Sequence, residues 1–376
     1  MAHLIKAASI RIEASSLCQL HCPCCPQTQG VINQPCLPKQ NTTILTNKED
    51  FLNPWSMHAA IVRRKPIGLG YLQFNNFKRI IEENPWVKHI ELSNWGEMFL
   101  NPQLISIIEY AHENKVMLTA DNGVNLNDAS DNALEALVKY KFISLSCSIN
   151  GATNETYSRY SIGGNLDKVI ENIKKINIYK KKYKSKFPIL HWQFVVFGHN
   201  EHEIKAAREQ AKNLDMYFML RFNNSNIYSP VQNKNLLQKQ ILGGVVSRAE
   251  YFQKHGLANR QKIICAQLWN APQINWDGRL LGCCVNYWDD FGNVFDKPLL
   301  TALNNEKINY AREMLLGKMP ARSDILCSEC IYYKFMKDSD RWLSLAEVRF
   351  YEMLYWIKYA CIRFWGWYPL PPNYCT

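Results

Sequence analysis

Strand-like and helix-like segments alternate between residues 8 and 221, and this alternation restricts the fold more than any other feature of the sequence. Six short runs have the pattern of strands, at 8–14, 89–92, 116–120, 142–149, 190–197 and 217–221. Five segments with helical periodicity separate them, at 71–83, 103–114, 131–140, 166–179 and 201–213. This order predicts an α/β fold with a parallel sheet and helices on its outside. Because a closed barrel has about eight strands, we expect an open, partial (β/α)6 barrel that binds ligands at its carboxyl edge.

The alternation stops after residue 222, which suggests a division of the chain into several segments. We predict a barrel at 8–222 with an irregular insertion at 27–70, a linker at 223–262, a small cysteine-bearing domain at 263–336 and a helical tail at 337–376. Within the small domain, a hairpin is predicted at 273–283 and a helix at 303–316. The insertion follows a group of cysteines, and long irregular loops often have a function, so we expect it to cover the site.

The cysteine content indicates metal binding more than disulfide formation. The chain has 376 residues, of which 47% are hydrophobic, so it can bury a core without disulfides, yet it contains 13 cysteines. We see no signal peptide and no apolar run as long as a membrane span. We therefore expect a reducing cytoplasmic setting, where clustered cysteines tend to bind metal. The net charge of +11 is attributed mainly to lysines on solvated helix faces, with an anionic partner as the alternative.

The first cysteine group follows directly after the first predicted strand. Cys18, Cys22 and Cys25 have the spacing C-x3-C-x2-C. Four thiolates normally hold a four-iron cluster, so three would leave one iron open for substrate chemistry. A zinc site or incidental cysteines are the alternatives.

This spacing resembles that of the radical S-adenosylmethionine superfamily. The resemblance implies a [4Fe-4S] cluster whose open iron binds the amino and carboxylate groups of S-adenosylmethionine. It also implies that reduction of the cluster cleaves this cofactor to a 5′-deoxyadenosyl radical. Cys24 departs from the family pattern, which usually has an aromatic or other non-ligand residue at that position, and we favour Cys25 as the third ligand.

Further segments resemble that family in order along the barrel, over about residues 10–330. Asn94-Trp95-Gly96-Glu97 resembles its Gly-Gly-Glu segment, in which Gly96 would let the backbone approach the methionine moiety and Glu97 would bind its ammonium group. Asn122, in an Asp-Asn-Gly run, and Ser148, in a Ser-Ile-Asn-Gly-Ala run, would likewise contact the cofactor. Taken singly, each segment is also explained by a turn or a strand end.

The second cysteine group resembles the C-terminal extension called SPASM, in its shorter form called twitch. Cys265 is followed by Gly278 and Cys283, and then by a C-x2-C pair, Cys327 and Cys330. The resemblance implies one auxiliary iron–sulfur cluster, closed by four thiolates and able to relay electrons. A structural zinc ion held by the same thiolates is the alternative.

These features predict a radical enzyme that acts on an unreactive C–H bond, with an electron donor such as flavodoxin or ferredoxin. Because the barrel pattern begins almost at once, with no leader-binding domain before it, a sugar or glycan precursor is favoured as substrate. Modification of a ribosomally made peptide is the alternative, and a non-catalytic, zinc-stabilised binding module is the rival class. Dehydrogenation, epimerisation and methyl transfer all stay open, and no nucleic-acid partner is expected.

The tail contains a helical pattern at 341–368 that is dense in Trp, Tyr and Phe. Three interpretations stay open: a helix that caps the core, a partner or dimer surface, and a peripheral contact with an anionic membrane.

Overall fold

The structure, a computed structural model, describes residues 4–28, 30, 65–223, 228–238 and 258–361. Most of the predicted insertion at 27–70, much of the predicted linker at 223–262 and the tail after residue 361 lie outside the described residues. The expectation that the insertion covers the site therefore stays a prediction.

A seven-stranded parallel sheet forms the centre of the fold. Its strands are β1 (Ser9–Ile12), β2 (His89–Glu91), β3 (Met117–Val124), β4 (Ser144–Ser148), β5 (Ile189–Val196), β6 (Tyr217–Phe222) and β7 (Gln273–Ile274). Their order is β6-β5-β4-β3-β2-β1-β7, and all neighbours are parallel. The six predicted strands and the α/β class are confirmed. The seventh strand is the first arm of the predicted hairpin, which pairs with β1 through Arg11 and Gln273.

Helices connect the strands and cover the outside of the sheet. The barrel helices are α1 (Phe74–Glu83), α2 (Leu104–Glu113), α3 (Asp131–Lys139), α4 (Asn154–Tyr160), α5 (Leu166–Lys182) and α6 (Ile204–Asn213). The later helices are α7 (Lys234–Gln238), α8 (Ala258–Asn270), α9 (Leu299–Ala302), α10 (Glu306–Leu315), α11 (Ile331–Asp338) and α12 (Leu345–Ala360). Short 3-10 turns lie at Met98–Leu100, Glu201–Glu203 and Leu326–Glu329.

Side-chain caps fix the starts of the helices that follow the carboxyl edge of the sheet. Ser130, Thr153 and Asn165 accept hydrogen bonds from the backbone N–H groups three residues later, and so begin α3, α4 and α5. Such caps satisfy N–H groups that have no partner within the helix. They also fix the loops in which the site residues lie.

The two faces of the sheet differ in chemistry because successive side chains on a strand point in opposite directions. The face that packs on the helices is apolar, and Ile10, Ile90, Leu145 and Trp192 on it are fully buried. The other face is polar on five neighbouring strands, through Arg11, Glu91, Thr119, Ser146 and His191. The sheet therefore encloses a polar interior.

Helix α12 lies across the amino-terminal edge of the sheet. The Tyr355 hydroxyl accepts a hydrogen bond of 2.7 Å from Ser9 Oγ and lies 2.6 Å from His89 Nδ1. Tyr359 packs in a small apolar cluster with Ile143 and Ile189. One face of this helix thus caps the core. Among the residues that the structure describes, no helix is both long and apolar enough to span a membrane.

Candidate active site

The first cysteine group lies in a loop that continues from β1 at the carboxyl edge of the sheet. Backbone hydrogen bonds fix this loop at its start and before Cys22: Ser16 N–H donates to Gly70 O over 2.9 Å, and His21 N–H donates to Ile162 O over 2.9 Å. Between them, Leu17 O accepts from Glu97 N–H over 2.6 Å. The predicted ligand Cys18 is therefore held directly beside the predicted cofactor-binding segment at Glu97.

The loop brings the thiols of Cys18, Cys22 and Cys25 within electrostatic reach of one another. Burial, with smaller contributions from Glu97 and Cys25, raises the pKa of Cys18 to about 12. Burial and the neighbouring thiols of Cys25 and Cys18 raise the pKa of Cys22, and burial raises the pKa of Cys25. Thiolates at these positions need compensating positive charge, which iron supplies, so the donor set fits an iron–sulfur cluster.

The described residues form no site for a single metal ion. In the described ranges, no three His, Cys, Asp or Glu side chains are spaced to hold one metal ion. A four-iron cluster is wider than a single ion and takes its ligands farther apart.

Two asparagines after β3 connect the cysteine loop to the barrel. Asn125 Nδ2 donates to Cys18 Sγ over 3.9 Å, and Asn125 N–H donates to Glu97 Oε2 over 2.6 Å. Asn127 Nδ2 donates to the Tyr157 hydroxyl over 2.8 Å. Burial raises the pKa of Tyr157 to about 12, with a smaller contribution from Cys22. The sequence analysis missed both asparagines, although an Asn-x-Asn pattern directly after a predicted strand could have indicated them.

The Gly96–Glu97 segment is packed tightly against the start of the cysteine loop. A Cβ atom on Gly96 would lie 2.3 Å from Ser15 O, so this contact alone requires glycine. Glu97 is 2% exposed, and its carboxylate accepts hydrogen bonds from the backbone of Phe99 and Asn125. Burial raises the pKa of Glu97 to about 8. Both residues shape the loop, and their contact with a cofactor stays a prediction.

The predicted residues Asn122 and Ser148 lie at the same carboxyl edge. Asn122 N–H donates to Ser93 Oγ over 3.2 Å. A Cβ atom on Gly123 would lie 2.7 Å from Ser148 Oγ and 3.7 Å from Gln193 Nε2. Gly123, Ser148 and Gln193 thus adjoin one another on β3, β4 and β5. The structure corrects one local detail, because the Asp-Asn-Gly run continues β3 past a register shift and does not end the strand.

A network of buried polar side chains lies beneath this edge. Glu91 accepts hydrogen bonds from Ser93 Oγ over 2.6 Å, Thr119 Oγ1 over 2.5 Å and Asp121 N–H over 2.9 Å. Ser144 Oγ donates to Asp121 Oδ1 over 2.6 Å. Buried groups that are satisfied in this way hold their side chains in fixed positions. The polar residue at every second strand position was the signal that the sequence analysis did not use.

The second cysteine group lines one cavity in the C-terminal part of the chain. Cys265 on α8, Cys283 after the hairpin, Cys327 in a 3-10 turn and Cys330 at the start of α11 face it. The other lining residues are mainly apolar and include Trp288. Burial raises the pKa of Cys330 to about 11, and burial with neighbouring thiols raises those of the other three. Four converging thiols in an apolar cavity fit a cluster that is closed by protein ligands.

Comparison with known proteins agrees with this geometry. Residues 265–331 match the SPASM family, an iron–sulfur cluster-binding domain. Streptococcus suis SuiB bound to S-adenosylmethionine is similar in structure, with a TM-score of 0.54 and 14% identity over 88% of this chain and 72% of SuiB. SuiB bound to the precursor peptide SuiA gives a TM-score of 0.54 and 14% identity over 88% of this chain and 70% of that one.

Native anSMEcpe with bound AdoMet and the Cp18Cys peptide is also similar, with a TM-score of 0.50 and 14% identity over 94% of this chain and 98% of that one. No curated protein matches the sequence. At this level of identity the structural likeness concerns the fold. The chain therefore has the fold of radical S-adenosylmethionine enzymes and carries a SPASM iron–sulfur cluster-binding domain at residues 265–331.

Proposed function

We propose that this protein is a radical S-adenosylmethionine enzyme and that Cys18, Cys22 and Cys25 bind its catalytic [4Fe-4S] cluster. The observation that carries the proposal is the position of the loop that bears these cysteines: it lies at the carboxyl edge of a partial barrel, where Asn125 Nδ2 donates to Cys18 Sγ, beside the polar strand ends of β3, β4 and β5. When bound, such a cluster supplies the electron that cleaves S-adenosylmethionine to methionine and a 5′-deoxyadenosyl radical.

The residues around the thiols would bind and orient S-adenosylmethionine. Glu97 would bind the ammonium group of the methionine moiety, and that positive charge would keep its buried carboxyl group ionised. Asn122 and Ser148 supply polar groups at the half-buried ends of β3 and β4, where the remainder of the cofactor would lie. The close approach of Gly96 to the Ser15 backbone keeps this wall in place.

We assign an electron-relay role to an auxiliary cluster held by Cys265, Cys283, Cys327 and Cys330. Four thiolates close all irons, which prevents direct substrate binding but permits electron transfer. The loop after Cys283 contacts the rim of the barrel, because Asn94 Nδ2 donates to Cys284 O over 3.1 Å. This proximity suits a reaction in which the substrate loses electrons after hydrogen abstraction. An electron donor such as flavodoxin or ferredoxin would reduce the catalytic cluster.

For the substrate, we propose a polar, hydroxyl-bearing small molecule such as a sugar or glycan precursor. The partly exposed polar side chains of Asp121 and Gln193 support this choice, because they offer hydrogen-bonding groups at the carboxyl edge, near the proposed radical site. A peptide is the second candidate. It is favoured by the similar structures of SuiB with the peptide SuiA and of anSMEcpe with the Cp18Cys peptide.

Anaerobic purification and incubation with S-adenosylmethionine and dithionite test the proposal. We expect brown protein with about eight irons per chain and formation of 5′-deoxyadenosine. Adding deuterated nucleotide sugars or deuterated peptides then identifies the substrate class, because the reactive class transfers deuterium to 5′-deoxyadenosine. Colourless protein with stoichiometric zinc and no 5′-deoxyadenosine would instead support the zinc-stabilised binding module.

A further inference from the structure

Exposed lysines surround the amino-terminal edge of the sheet, opposite the proposed active site. Each of the first five strands is preceded, one to three residues before it begins, by a lysine: Lys6, Lys88, Lys115, Lys141 and Lys186. Because the strands are parallel, these positions share one end of the barrel. We call these five residues the lysine ring. The last two strands depart from the pattern, since Asp215 lies two residues before β6 and no lysine lies within three residues before β7.

Local backbone structure does not favour lysine at these turns. Lys115 and Lys141, and Lys184 beside the ring, have positive φ angles of 58°, 55° and 48°. Glycine and asparagine adopt this left-handed conformation most readily after a helix, whereas a longer side chain adds strain. The helix dipole gives a lysine near a helix end a small gain, typically about 0.3–1 kcal/mol. This gain concerns single lysines at helix ends, and it does not account for a ring of five lysines at one end of the barrel.

A basic groove adjoins the lysine ring between α5 and α6. The groove is lined by a single acidic residue, Asp215, and by five lysines: Lys174, Lys180, Lys181, Lys184 and Lys186. Beside the groove, Glu135 pairs with Lys182 over 2.6 Å, and α1 and α2 end at the acidic residues Glu83 and Glu113. Positive charge therefore dominates this end of the molecule.

Helix α12 adds an apolar stripe to the same end. Its inner face caps the sheet, but four side chains on it are between 47% and 49% exposed: Leu345, Phe350, Met353 and Ile357. The stripe and the groove are neighbours, because Ile189 lines the groove and also packs in the cluster that contains Tyr359 of α12. Lysine–aromatic pairs lie there too, with Lys186 Nζ 5.3 Å from the ring centre of Phe187.

From this arrangement we infer that the lysine ring and the apolar stripe of α12 form a docking face for an anionic membrane surface. Lipid head groups would neutralise the lysines while acyl chains take up the apolar stripe. A nucleic acid would leave the stripe exposed, and a second copy of the chain would bring like charges together. Aromatic residues typical of membrane interfaces continue in the sequence after α12: Phe364, Trp365, Trp367 and Tyr368. The proposed active site would face away from the membrane.

Co-sedimentation of the full chain with vesicles tests this inference independently of enzymatic activity. We expect binding to phosphatidylcholine vesicles that contain phosphatidylserine, weaker binding at high salt, and much weaker binding to phosphatidylcholine alone. The test variant combines Lys115→Gln, Lys141→Gln and Lys186→Gln. The matched control removes the same charge from exposed lysines in the first turns of helices at the opposite edge: Lys168→Gln, Lys205→Gln and Lys234→Gln.

The test variant should bind phosphatidylserine vesicles about a hundredfold more weakly, and the control should lose far less. A second variant, Phe350→Ser with Ile357→Ser, should also lose binding without a change in its unfolding midpoint. Equal losses in the two lysine variants, or no binding by the wild type, would refute the docking face. If the second variant turns a dimer into a monomer and leaves vesicle binding intact, the stripe is a contact between copies of this chain and the inference is wrong.

Discussion

Asn94 Nδ2 donates a hydrogen bond to the carbonyl oxygen of Cys284 over 3.1 Å, and this bond joins the rim of the barrel to the SPASM domain. Asn94 Oδ1 in turn accepts from Asn122 Nδ2 over 2.8 Å. One amide side chain thus connects a predicted cofactor-binding residue to the loop beside Cys283. The two proposed clusters are held by parts of the chain that contact each other directly.

Replacing Asn94 with alanine should weaken this contact between the domains. Two hydrogen bonds are lost, and each contributes about 1 kcal/mol, so we expect the free energy of unfolding to fall by about 1–2 kcal/mol. Denaturant unfolding of the metal-free protein measures this change. Asn114→Ala is the control, because the Asn114 side chain bonds to Tyr110 O at an exposed helix end and its loss should cost less. Equal losses would contradict a specific role for Asn94.

The assignment of Cys25, and not Cys24, as the third ligand is tested by single substitutions. Cys22→Ala and Cys25→Ala should abolish 5′-deoxyadenosine formation and remove about four irons per chain. Cys24→Ala should retain both properties, because Cys18, Cys22 and Cys25 still complete the C-x3-C-x2-C set. If Cys24→Ala loses the iron while Cys25→Ala keeps it, the ligand assignment is wrong.

The second cysteine group can be separated from the first by a change at Cys327. Cys327→Ala opens the cavity that four thiols line and should remove about four irons. Cleavage of S-adenosylmethionine should continue, whereas an oxidative reaction on the substrate should fail. Cys361→Ala, at a buried cysteine outside both groups, provides the control for loss of a thiol. Loss of cofactor cleavage in Cys327→Ala would mean that the second site is structural.

Gly96→Ala tests whether the close approach to the Ser15 backbone holds the cysteine loop. The added Cβ atom would lie 2.3 Å from Ser15 O, and backbone cannot move away as a flexible side chain can. We expect a loss of stability of about 1–3 kcal/mol and poorer iron incorporation. Gly163→Ala is the comparison, because its Cβ atom would meet only Gln19 O at 3.5 Å, although its φ of +89° adds strain. A larger effect at Gly163 would show that overlap at Gly96 is not the dominant cost.

The sequence was sufficient to predict the elements of the barrel because their apolar periodicity is strong and local. The short spacing of Cys18, Cys22 and Cys25 was sufficient to predict that one loop carries them, whereas the second group, spread over residues 265–330, was predicted from its resemblance to SPASM. Strand β7 was missed as part of the sheet because two residues carry no periodicity and their pairing with β1 is long-range. The end of β3 was predicted too early because Asp121-Asn122-Gly123 has the composition of a turn.

The polar contacts within the site were harder to predict, for a physical reason. Asn125 and Glu97 are far apart in sequence, and only the parallel pairing of β2 with β3 brings their loops together. The Ser15–Gly96 contact likewise depends on the pairing of β1 with β2. A single sequence contains no information on which loops adjoin until the strand order is known. The residues that line the site from several strands therefore needed the structure.

His199 should make the stability of the fold depend on pH in the weakly acidic range. Its ring stacks on Phe197 at a centroid distance of 5.2 Å, and its Nδ1 lies 2.9 Å from Ser229 Oγ. Burial lowers the pKa of His199 to about 4, and the nearby charge of Arg159 adds to this effect. In the unfolded chain a histidine has a pKa of about 6.5. Between these two values the unfolded state binds a proton that the folded state does not, so acid favours unfolding.

The contribution of His199 to stability is therefore complete above about pH 6.5 and is lost as the pH falls towards about 4. His199→Gln removes this difference in proton binding, so its free energy of unfolding should fall less between about pH 7 and pH 5 than that of the wild type. Denaturant unfolding at the two pH values measures the slope. His112→Gln, at an exposed position on α2, should keep the wild-type slope. Because the two variants lose the same type of side chain, equal slopes would assign the pH dependence to groups other than the half-buried His199.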